Sequence, residues 1–203
     1  MDMGSKERIL RLKDETRAKI LDAALNIAKM EGWQALSMRK IAEQIEYTAP
    51  IIYEYFANKE GILLELTRKG YRILTKHIID ARERYEKNED KMEAMWIAYW
   101  NFAFTHKEFY RLMYGVDMVR CSNSSCIPET DNLYEILAEV IAALFTKKPI
   151  SEDIICLKYN TYWSVIHGLV SINLIHLNWR TTDALNQQIL KDAIKVITLS
   201  INS

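Results

Sequence analysis

Glycine, proline and cysteine are scarce in this chain. Its 203 residues include six glycines, three prolines and three cysteines, and no alternating apolar pattern bounded by turn residues is found in it. Strands joined by tight turns need such signals, so helices are the only consistent prediction along the whole sequence. We therefore expect an all-α fold.

Net charge and long apolar runs are also missing. The chain has 27 lysines and arginines against 27 aspartates and glutamates, so its non-specific attraction to a polyanion such as DNA should be weak. No segment approaches 18 uninterrupted apolar residues, and the start of the chain lacks the apolar core of a signal peptide. We predict a cytoplasmic protein with no membrane partner.

Recognisable catalytic patterns are absent as well. The sequence shows no paired-carboxylate site, no phosphate-binding loop, no His-Glu-x-x-His run and no set of nucleophile, base and orienting group. The four histidines are scattered, and they are His77, His106, His167 and His176. We predict that the protein is not an enzyme and that it uses neither a cofactor nor a bound metal.

Two of the cysteines, Cys121 and Cys126, lie in a predicted loop from Gly115 to Asp131, which precedes a predicted helix from Asn132 to Phe145. The two thiols could oxidise to a disulfide, but no histidine or third cysteine is nearby to complete a metal site. A redox response is therefore an alternative, although cytoplasmic thiols are normally kept reduced.

What the chain does have is a group of three short helical patterns near its beginning. The first places apolar residues at steps of three and four from about Thr16 to Met30, and Gly32 is a suitable helix stop. Ser37 can then cap a second, shorter helix. A modest basic segment precedes or opens the first pattern and predicts either a frayed tail or an arm that touches DNA. Its cations are Lys6, Arg8, Arg11, Lys13, Arg17 and Lys19, with Glu7, Asp14 and Glu15 interspersed.

A third helix follows the second after only about four residues. Thr48 offers the same capping chemistry, and Pro50 falls in the first turn, where its missing N–H costs nothing. This layout predicts a helix-turn-helix, which places its second helix in the major groove of DNA. The apolar contacts between its helices would come from Ile41, Ala42, Ile45, Ile52 and Phe56. The outer face of the third helix would present Ala49, Ile51, Tyr53, Glu54 and Tyr55.

This region resembles the TetR family of bacterial transcriptional regulators. The resemblance covers roughly the first third of the chain and depends on order and spacing. It is carried by Ser37-Met38-Arg39-Lys40-Ile41-Ala42 and by the run from Thr48 to Leu63, which contains Tyr53-Glu54-Tyr55-Phe56-Ala57-Asn58-Lys59-Glu60. Glu46 departs from the family pattern, which usually has glycine in the turn, so either a left-handed turn there would carry strain or the turn would take another shape.

The resemblance implies DNA contacts for nine residues. Expected at the phosphate backbone are Tyr53, Tyr55 and Lys59, with Ser37 and Arg39 at the flanking backbone. Expected in the groove, at the start of the reading helix, are Thr48, Ala49, Pro50 and Ile51. Taken singly, each has an ordinary explanation too, since Tyr53 could be a core residue and Lys59 a solvated charge. The implied domains are a DNA-binding domain over residues 1–59 and a helical effector-binding and dimerisation domain over residues 60–203.

The second domain is rich in aromatic residues at helical spacing. A helical pattern continues from beyond Asn58 to about Tyr85, and the next runs from Met92 to Phe104. Such rings could line a cavity for a flat or apolar molecule, although core packing explains any single ring. The candidate ligand-binding residues are Trp96, Tyr99, Trp100, Phe104, Tyr110, Met113, Tyr162, Trp163 and His167. The spacing from Trp163 to His167-Gly168 resembles a TetR-family C-terminal subtype with a Trp-His-Gly signature.

The last two predicted helices have more apolar surface than one core can bury. One follows Ser151, which can cap it, and the other extends from about Thr182 to Ile201. In the first of them Leu157, Leu169 and Ile172 lie off the main apolar stripe. We therefore predict a homodimer in which two copies pair these helices into a four-helix interface.

Together with the predicted dimer, the resemblance to the TetR family implies a homodimeric repressor. A two-fold dimer would present two reading helices about one DNA turn apart to a near-palindromic, double-stranded operator. A small apolar or aromatic effector that binds the DNA-incompetent form more tightly would release it. The alternative is a helix-turn-helix regulator that responds to redox state or to a protein partner. The sequence alone does not choose between repressor and activator.

Overall fold

The computed structural model describes residues 4–115, 127–147, 149–175 and 181–202. These residues form nine α-helices and one 3₁₀ turn, and no strand occurs among them. The all-α prediction is therefore confirmed. The chain divides into two compact units, Met1–Lys69 with Glu108–Arg120, and Gly70–Lys107 with Cys121–Ser203. The first unit extends to Lys69, ten residues beyond the predicted domain boundary between residues 59 and 60. That boundary was drawn between functions, DNA binding and effector binding, and it stays a prediction.

The first unit is built around three N-terminal helices. They are α1 (Ser5–Glu31), α2 (Met38–Gln44) and α3 (Ala49–Tyr55), and α4 (Lys59–Arg82) begins in this unit and continues into the second. Almost all of α6 (Lys107–Tyr114) also belongs here. The indole N–H of Trp33, in the 3₁₀ turn Trp33–Ala35, donates to the carbonyl of Glu108 at 3.0 Å and so holds α6. The core includes Ile20, Ala24, Ile41, Ile52, Ile62 and Leu66.

Helix α1 begins at Ser5, well before the predicted start at Thr16. Residues 5–15 contain neither glycine nor proline and are mostly good helix formers. The carbonyl of Gly4 accepts hydrogen bonds from the amides of Glu7 and Arg8, at 3.0 and 3.2 Å, which starts the helix. The basic segment is therefore an extension of α1 rather than a frayed tail.

The second unit packs its helices around α5 (Asn88–Thr105). Helices α7 (Pro128–Leu144), α8 (Glu152–Leu174) and α9 (Asp183–Leu199) all contact α5, and α8 contacts both α7 and α9. Because α5 has neighbours on several sides, its buried residues cover more than one face. They are Met92, Met95, Trp96, Tyr99, Trp100, Phe102 and Ala103.

Two further predicted helix starts, those of α5 and α7, were also too late. Helix α5 begins at Asn88 rather than Met92, and α7 begins at Pro128 rather than Asn132. Both first turns carry two acidic side chains, which favour the positive end of a helix dipole, and proline is tolerated there. The end of the predicted loop is thus helical, while Cys121 and Cys126 lie outside the described residues.

Candidate functional site

The turn between α2 and α3 has the predicted helix-turn-helix form. Ser37 caps α2, since its side-chain oxygen accepts from the amide of Lys40 at 3.2 Å. After α2, the amide of Tyr47 donates to the carbonyl of Ala42 at 2.9 Å, which closes the helix end. This closure requires a left-handed residue, and Glu46 takes that place with φ of 60°. A side chain in this conformation costs roughly 1–2 kcal/mol.

The interior of this unit holds α3 in place. Four of the five predicted scaffold residues are buried, and Ile45 is half-buried. The buried ones are Ile41, Ala42, Ile52 and Phe56. Because Ile52 in α3 and Phe56, the residue that ends α3, are both buried, the opposite face of α3 is left outside.

The outer face of α3 is accessible from its first residue. Tyr53 is 55% exposed, so the alternative that it is a core residue is excluded. Exposed alongside it are Thr48, Pro50 and Glu54, while Ala49, Ile51 and Tyr55 are half-buried. Apart from Glu54, which carries a carboxylate, these are hydroxyl-bearing, aliphatic and aromatic residues of the kind that contact base edges, thymine methyl groups and phosphates.

Thr48 is the N-cap residue of α3, but the predicted capping hydrogen bond is not formed. A capping oxygen accepts from the second or third helical amide, and here the second helical residue is Pro50, which has no N–H. The third amide, that of Ile51, donates to the backbone carbonyl of Thr48 at 3.0 Å instead. The hydroxyl of Thr48 is therefore exposed and available to a partner outside the helix.

Lys59 and Arg39 are held by short-range contacts. The ammonium of Lys59, at the start of α4, donates to the carbonyl of Trp33 at 3.3 Å and is half-buried. Lys59 is therefore not simply a solvated charge. Arg39 pairs with Glu43 at 2.8 Å, with both side chains mostly exposed. An exposed ion pair of this kind is weak. The guanidinium of Arg39 could therefore leave Glu43 and bind a phosphate.

Arg17 is a positioning residue that sequence reasoning missed. Its guanidinium lies 4.3 Å from the centre of the Phe56 ring, donates to the carbonyl of Tyr55 at 3.3 Å, and approaches Glu65 at 3.6 Å. It therefore joins α1 and α4 to the end of α3. The available signal was its place on the apolar stripe of α1, three residues before Ile20.

In the second unit, five predicted ligand-binding residues form one cluster, which we call the aromatic cluster. Trp96 stacks on Tyr162 at 5.6 Å between ring centres and meets the edge of Tyr99 at 5.7 Å. The hydroxyl of Tyr99 is hydrogen-bonded to Nδ1 of His167 at 3.1 Å, and His167 stacks on Trp163 at 5.1 Å. Aromatic spacing on α5 and α8 had thus indicated residues that contact one another.

The remaining four candidates lie elsewhere. Trp100 and Phe104 form their own pair on α5, with ring centres 4.6 Å apart. Tyr110 and Met113 belong to α6 in the first unit, where Tyr110 packs against Tyr114 at 4.9 Å. Their predicted ligand role remains a proposal.

The aromatic cluster is uncharged near neutral pH. Burial lowers the pKa of His167, which favours the neutral imidazole. Burial also raises the pKa of Tyr162 to about 12, against a smaller opposite effect of the hydrogen bond to Thr198. A ligand that contacts these uncharged side chains would be apolar or aromatic rather than ionic.

The described part of the second unit also has two open pockets, neither of which is lined by residues of the aromatic cluster. One of about 290 Å³ lies between α4 and α5 and includes His77, Asp80 and Arg84. The other, of about 480 Å³, lies between α4 and α7 beside the ion pair of Arg72 and Glu129, which is 2.9 Å long. Within the described ranges there is no cluster of three potential metal ligands, nor a helix long and apolar enough to cross a membrane.

Comparison with known proteins identifies the family. Residues 20–66 match the family model described as bacterial regulatory proteins, tetR family. Residues 92–190 match the tetracyclin repressor-like C-terminal domain. The chain belongs to the TetR family. The predicted N-terminal helix-turn-helix domain and helical C-terminal domain are confirmed, and the regulatory family confirms that the protein is not an enzyme.

Individual relatives of this TetR-family protein are distant. It is 26% identical over 107 residues to the transcriptional activator FasR of Mycolicibacterium smegmatis, covering 53% of this chain and 49% of that protein. It is 30% identical over 93 residues to the repressor KstR of Rhodococcus jostii, covering 46% and 42%. The chain thus spans about half or less of these relatives. A Rhodococcus sp. RHA1 protein of unknown function shares the fold, with TM-score 0.75, 19% identity and coverage of 92% and 95%.

Proposed function

We propose that this TetR-family protein is a cytoplasmic, sequence-specific regulator of transcription that binds a near-palindromic DNA operator. The observation that carries the proposal is the outer face of α3. At the start of this helix the hydroxyl of Thr48 makes no capping hydrogen bond, and Tyr53 is exposed. At the end of the helix Arg17 donates a hydrogen bond to the carbonyl of Tyr55. A rigid helix with accessible small and aromatic groups fits a major groove.

The DNA-binding residues divide by chemistry. Thr48, Ala49, Pro50 and Ile51 would meet base edges, where a hydroxyl can hydrogen-bond and an aliphatic group can contact a thymine methyl. The groups that would bind phosphates and so set the register of the protein on the duplex are Ser37, Arg39, Tyr53, Tyr55 and Lys59. Since the chain has no net charge, specificity would come from these local contacts rather than from bulk electrostatic attraction.

A homodimer is part of the proposal. Helices α8 and α9 contact each other and both expose large apolar side chains. On α8 these are Ile154, Leu157, Val165 and Ile172, and on α9 they are Leu185, Ile189, Val196 and Leu199. Large exposed apolar side chains on two neighbouring helices are typical of a subunit interface. Pairing it about a two-fold axis would also supply the second reading helix that a near-palindrome needs.

The second unit would sense a small apolar or aromatic effector at the aromatic cluster, with Trp100, Phe104, Tyr110 and Met113 as further candidate contacts. Helix α4 belongs to both units, so a change at one part of it can affect the other. An effector that binds the DNA-incompetent form more tightly would lower the operator affinity. We propose this repressor mode, as KstR is named a repressor, although FasR is named an activator.

Fluorescence anisotropy with DNA flanking the protein's own gene tests the proposal. We expect saturable binding to one near-palindromic fragment, and Tyr53→Ala should weaken it at least tenfold while the circular dichroism spectrum is unchanged. Tyr85→Ala is the matched control, because Tyr85 is similarly exposed but lies in the second unit. If neither flanking fragments nor a random-sequence DNA pool gave a bound sequence, the proposed function would be wrong.

A further inference from the structure

We propose that the first turns of α1 form a second DNA contact, in which Lys6 and Lys13 neutralise phosphates beside the groove that α3 enters. This inference rests on the proposed DNA-binding function and deepens it. The TetR family model matches this chain only from residue 20 onward. Lys6 and Lys13 therefore precede the matched region.

Residues 6–15 of α1, which we call the extension, contribute no buried side chain to their unit. The first buried residue of α1 is Ile20. Before it, Ile9, Leu10 and Leu12 are 54%, 63% and 47% exposed. A helical segment this short is marginal alone, but it is easily formed as a continuation of an existing helix. Folding of the core therefore does not explain the composition of residues 6–13.

That composition is strongly basic. Residues 6–13 contain four cations, Lys6, Arg8, Arg11 and Lys13, and the single anion Glu7, which gives a net charge of +3. The chain as a whole has a net charge of zero. Positive charge is thus concentrated in a helical segment that is joined directly to the helix-turn-helix. A DNA duplex, with one negative charge per ~1.7 Å of axis, is the partner that such a segment fits.

The contacts of Arg17 show which face of α1 is directed toward α3. Its guanidinium contacts the carbonyl of Tyr55 and the ring of Phe56, at the end of the proposed reading helix. At about 100° per residue, Lys13 and Lys6 lie within about 40° of the direction of Arg17. With a rise of 1.5 Å per residue, they lie about 6 and about 16 Å along the axis from it.

The other two cations are on the opposite side. Arg8 and Arg11 lie more than about 110° away from Arg17 by the same count. Arg11 also pairs with Glu15 at 3.4 Å. In contrast, neither Lys6 nor Lys13 makes an ion pair within the described ranges. Lys6 and Lys13 thus lie on the face of α1 directed toward the reading helix, and Arg8 and Arg11 lie on the opposite face. Variants of the second pair can therefore serve as controls for variants of the first.

The test measures the operator affinity of the full-length protein by anisotropy at several salt concentrations. Each phosphate contact contributes about 0.9 to the slope of log K against log salt. We expect Lys6→Gln with Lys13→Gln to reduce that slope by about 1.8 per protomer and to weaken operator and non-specific binding in similar proportion. Arg8→Gln with Arg11→Gln removes equal charge from the other face and should leave the slope nearly unchanged. Lys6→Arg with Lys13→Arg should retain the wild-type slope.

Three outcomes would overturn the inference. An unchanged slope for the Lys6 and Lys13 double variant, with wild-type protein bound, would reject it and leave the proposed function intact. Equal losses in both glutamine variants would indicate a net-charge effect without a specific face. Absence of DNA binding by the wild-type protein would reject the inference together with the proposed function. Equal helical circular dichroism in all variants is the check on folding.

Discussion

The hydroxyl of Tyr99 and Nδ1 of His167 form a 3.1 Å hydrogen bond in the aromatic cluster. Burial lowers the pKa of His167 from its usual 6.5. The folded protein therefore resists protonating this imidazole, whereas the unfolded chain binds the proton below about pH 6.5. The resulting stability is present above that pH and is lost as the pH falls below it.

We accordingly expect the free energy of unfolding of the wild-type protein to decrease between pH 7.5 and pH 5.5, and His167→Gln to show a smaller decrease. Urea titrations followed by circular dichroism at several pH values would measure both. His77→Gln is the control, because it replaces a histidine that lies outside the aromatic cluster. An equal decrease in wild type and His167→Gln would show that this imidazole does not control the acid sensitivity.

Glu46 should be replaceable by glycine with a gain in stability. Its φ of 60° lies in the left-handed region, which costs a side chain roughly 1–2 kcal/mol, while glycine loses about 0.4–1 kcal/mol through the greater entropy of the unfolded chain. The expected net gain for Glu46→Gly is therefore about 0.5–1 kcal/mol. Glu43→Gly, inside α2, should instead destabilise by about 1 kcal/mol. Urea midpoints compare the two, and a loss in Glu46→Gly would show that the turn is not strained.

Local sequence signals predicted local structure well. Ser37 and Pro50 marked the starts of two helices correctly, because capping and proline placement act over a few residues. The starts of α1 and α7 were predicted too late. Charged residues such as Lys6 and Glu129 occur in both loops and helices, so they did not mark these starts.

Contacts between distant parts of the chain were harder to predict. The hydrogen bond from Arg17 to the carbonyl of Tyr55 spans 38 positions, and that between Tyr99 and His167 spans 68. Helical spacing shows which residues share a face, but not which other face they meet. The strain at Glu46 was foreseen only as one of two outcomes, because the turn geometry depends on the hydrogen bond of Tyr47.

The apolar faces of α8 and α9 yield a prediction about assembly. Leu157 and Leu199 are the most exposed large apolar side chains in the described parts of α8 and of α9, respectively. Leu157→Glu with Leu199→Glu would place two charges in the proposed interface, and burying an unpaired charge is strongly unfavourable. We expect a dimeric mass for the wild type and a monomeric mass for the variant by light scattering at micromolar concentration.

A matched control uses the exposed apolar residues of the α1 extension. Leu10→Glu with Leu12→Glu changes two side chains of comparable exposure in the other unit, and it should leave the mass unchanged. A monomeric wild type would contradict the homodimer proposal, and a dimeric Leu157 and Leu199 variant would move the interface elsewhere.

Ser37 and Thr48 occupy equivalent N-cap positions, yet they should respond differently to alanine. Ser37 accepts a hydrogen bond from the amide of Lys40, so Ser37→Ala should destabilise the protein by about 1 kcal/mol. Thr48 makes no capping bond because Pro50 has removed one amide and the carbonyl of Thr48 binds the next. Thr48→Ala should therefore change the free energy of unfolding by less than about 0.5 kcal/mol.

The two variants should separate again in DNA binding. If the hydroxyl of Thr48 meets a base edge, Thr48→Ala should weaken operator binding by about 1–3 kcal/mol and relax discrimination at one base pair. Thr48→Ser keeps the hydroxyl and should retain most of the affinity. Urea titration and anisotropy on the same preparations would measure both effects. A Thr48→Ala protein that is clearly destabilised but binds DNA normally would assign this hydroxyl to capping in solution and remove it from the proposed groove contacts.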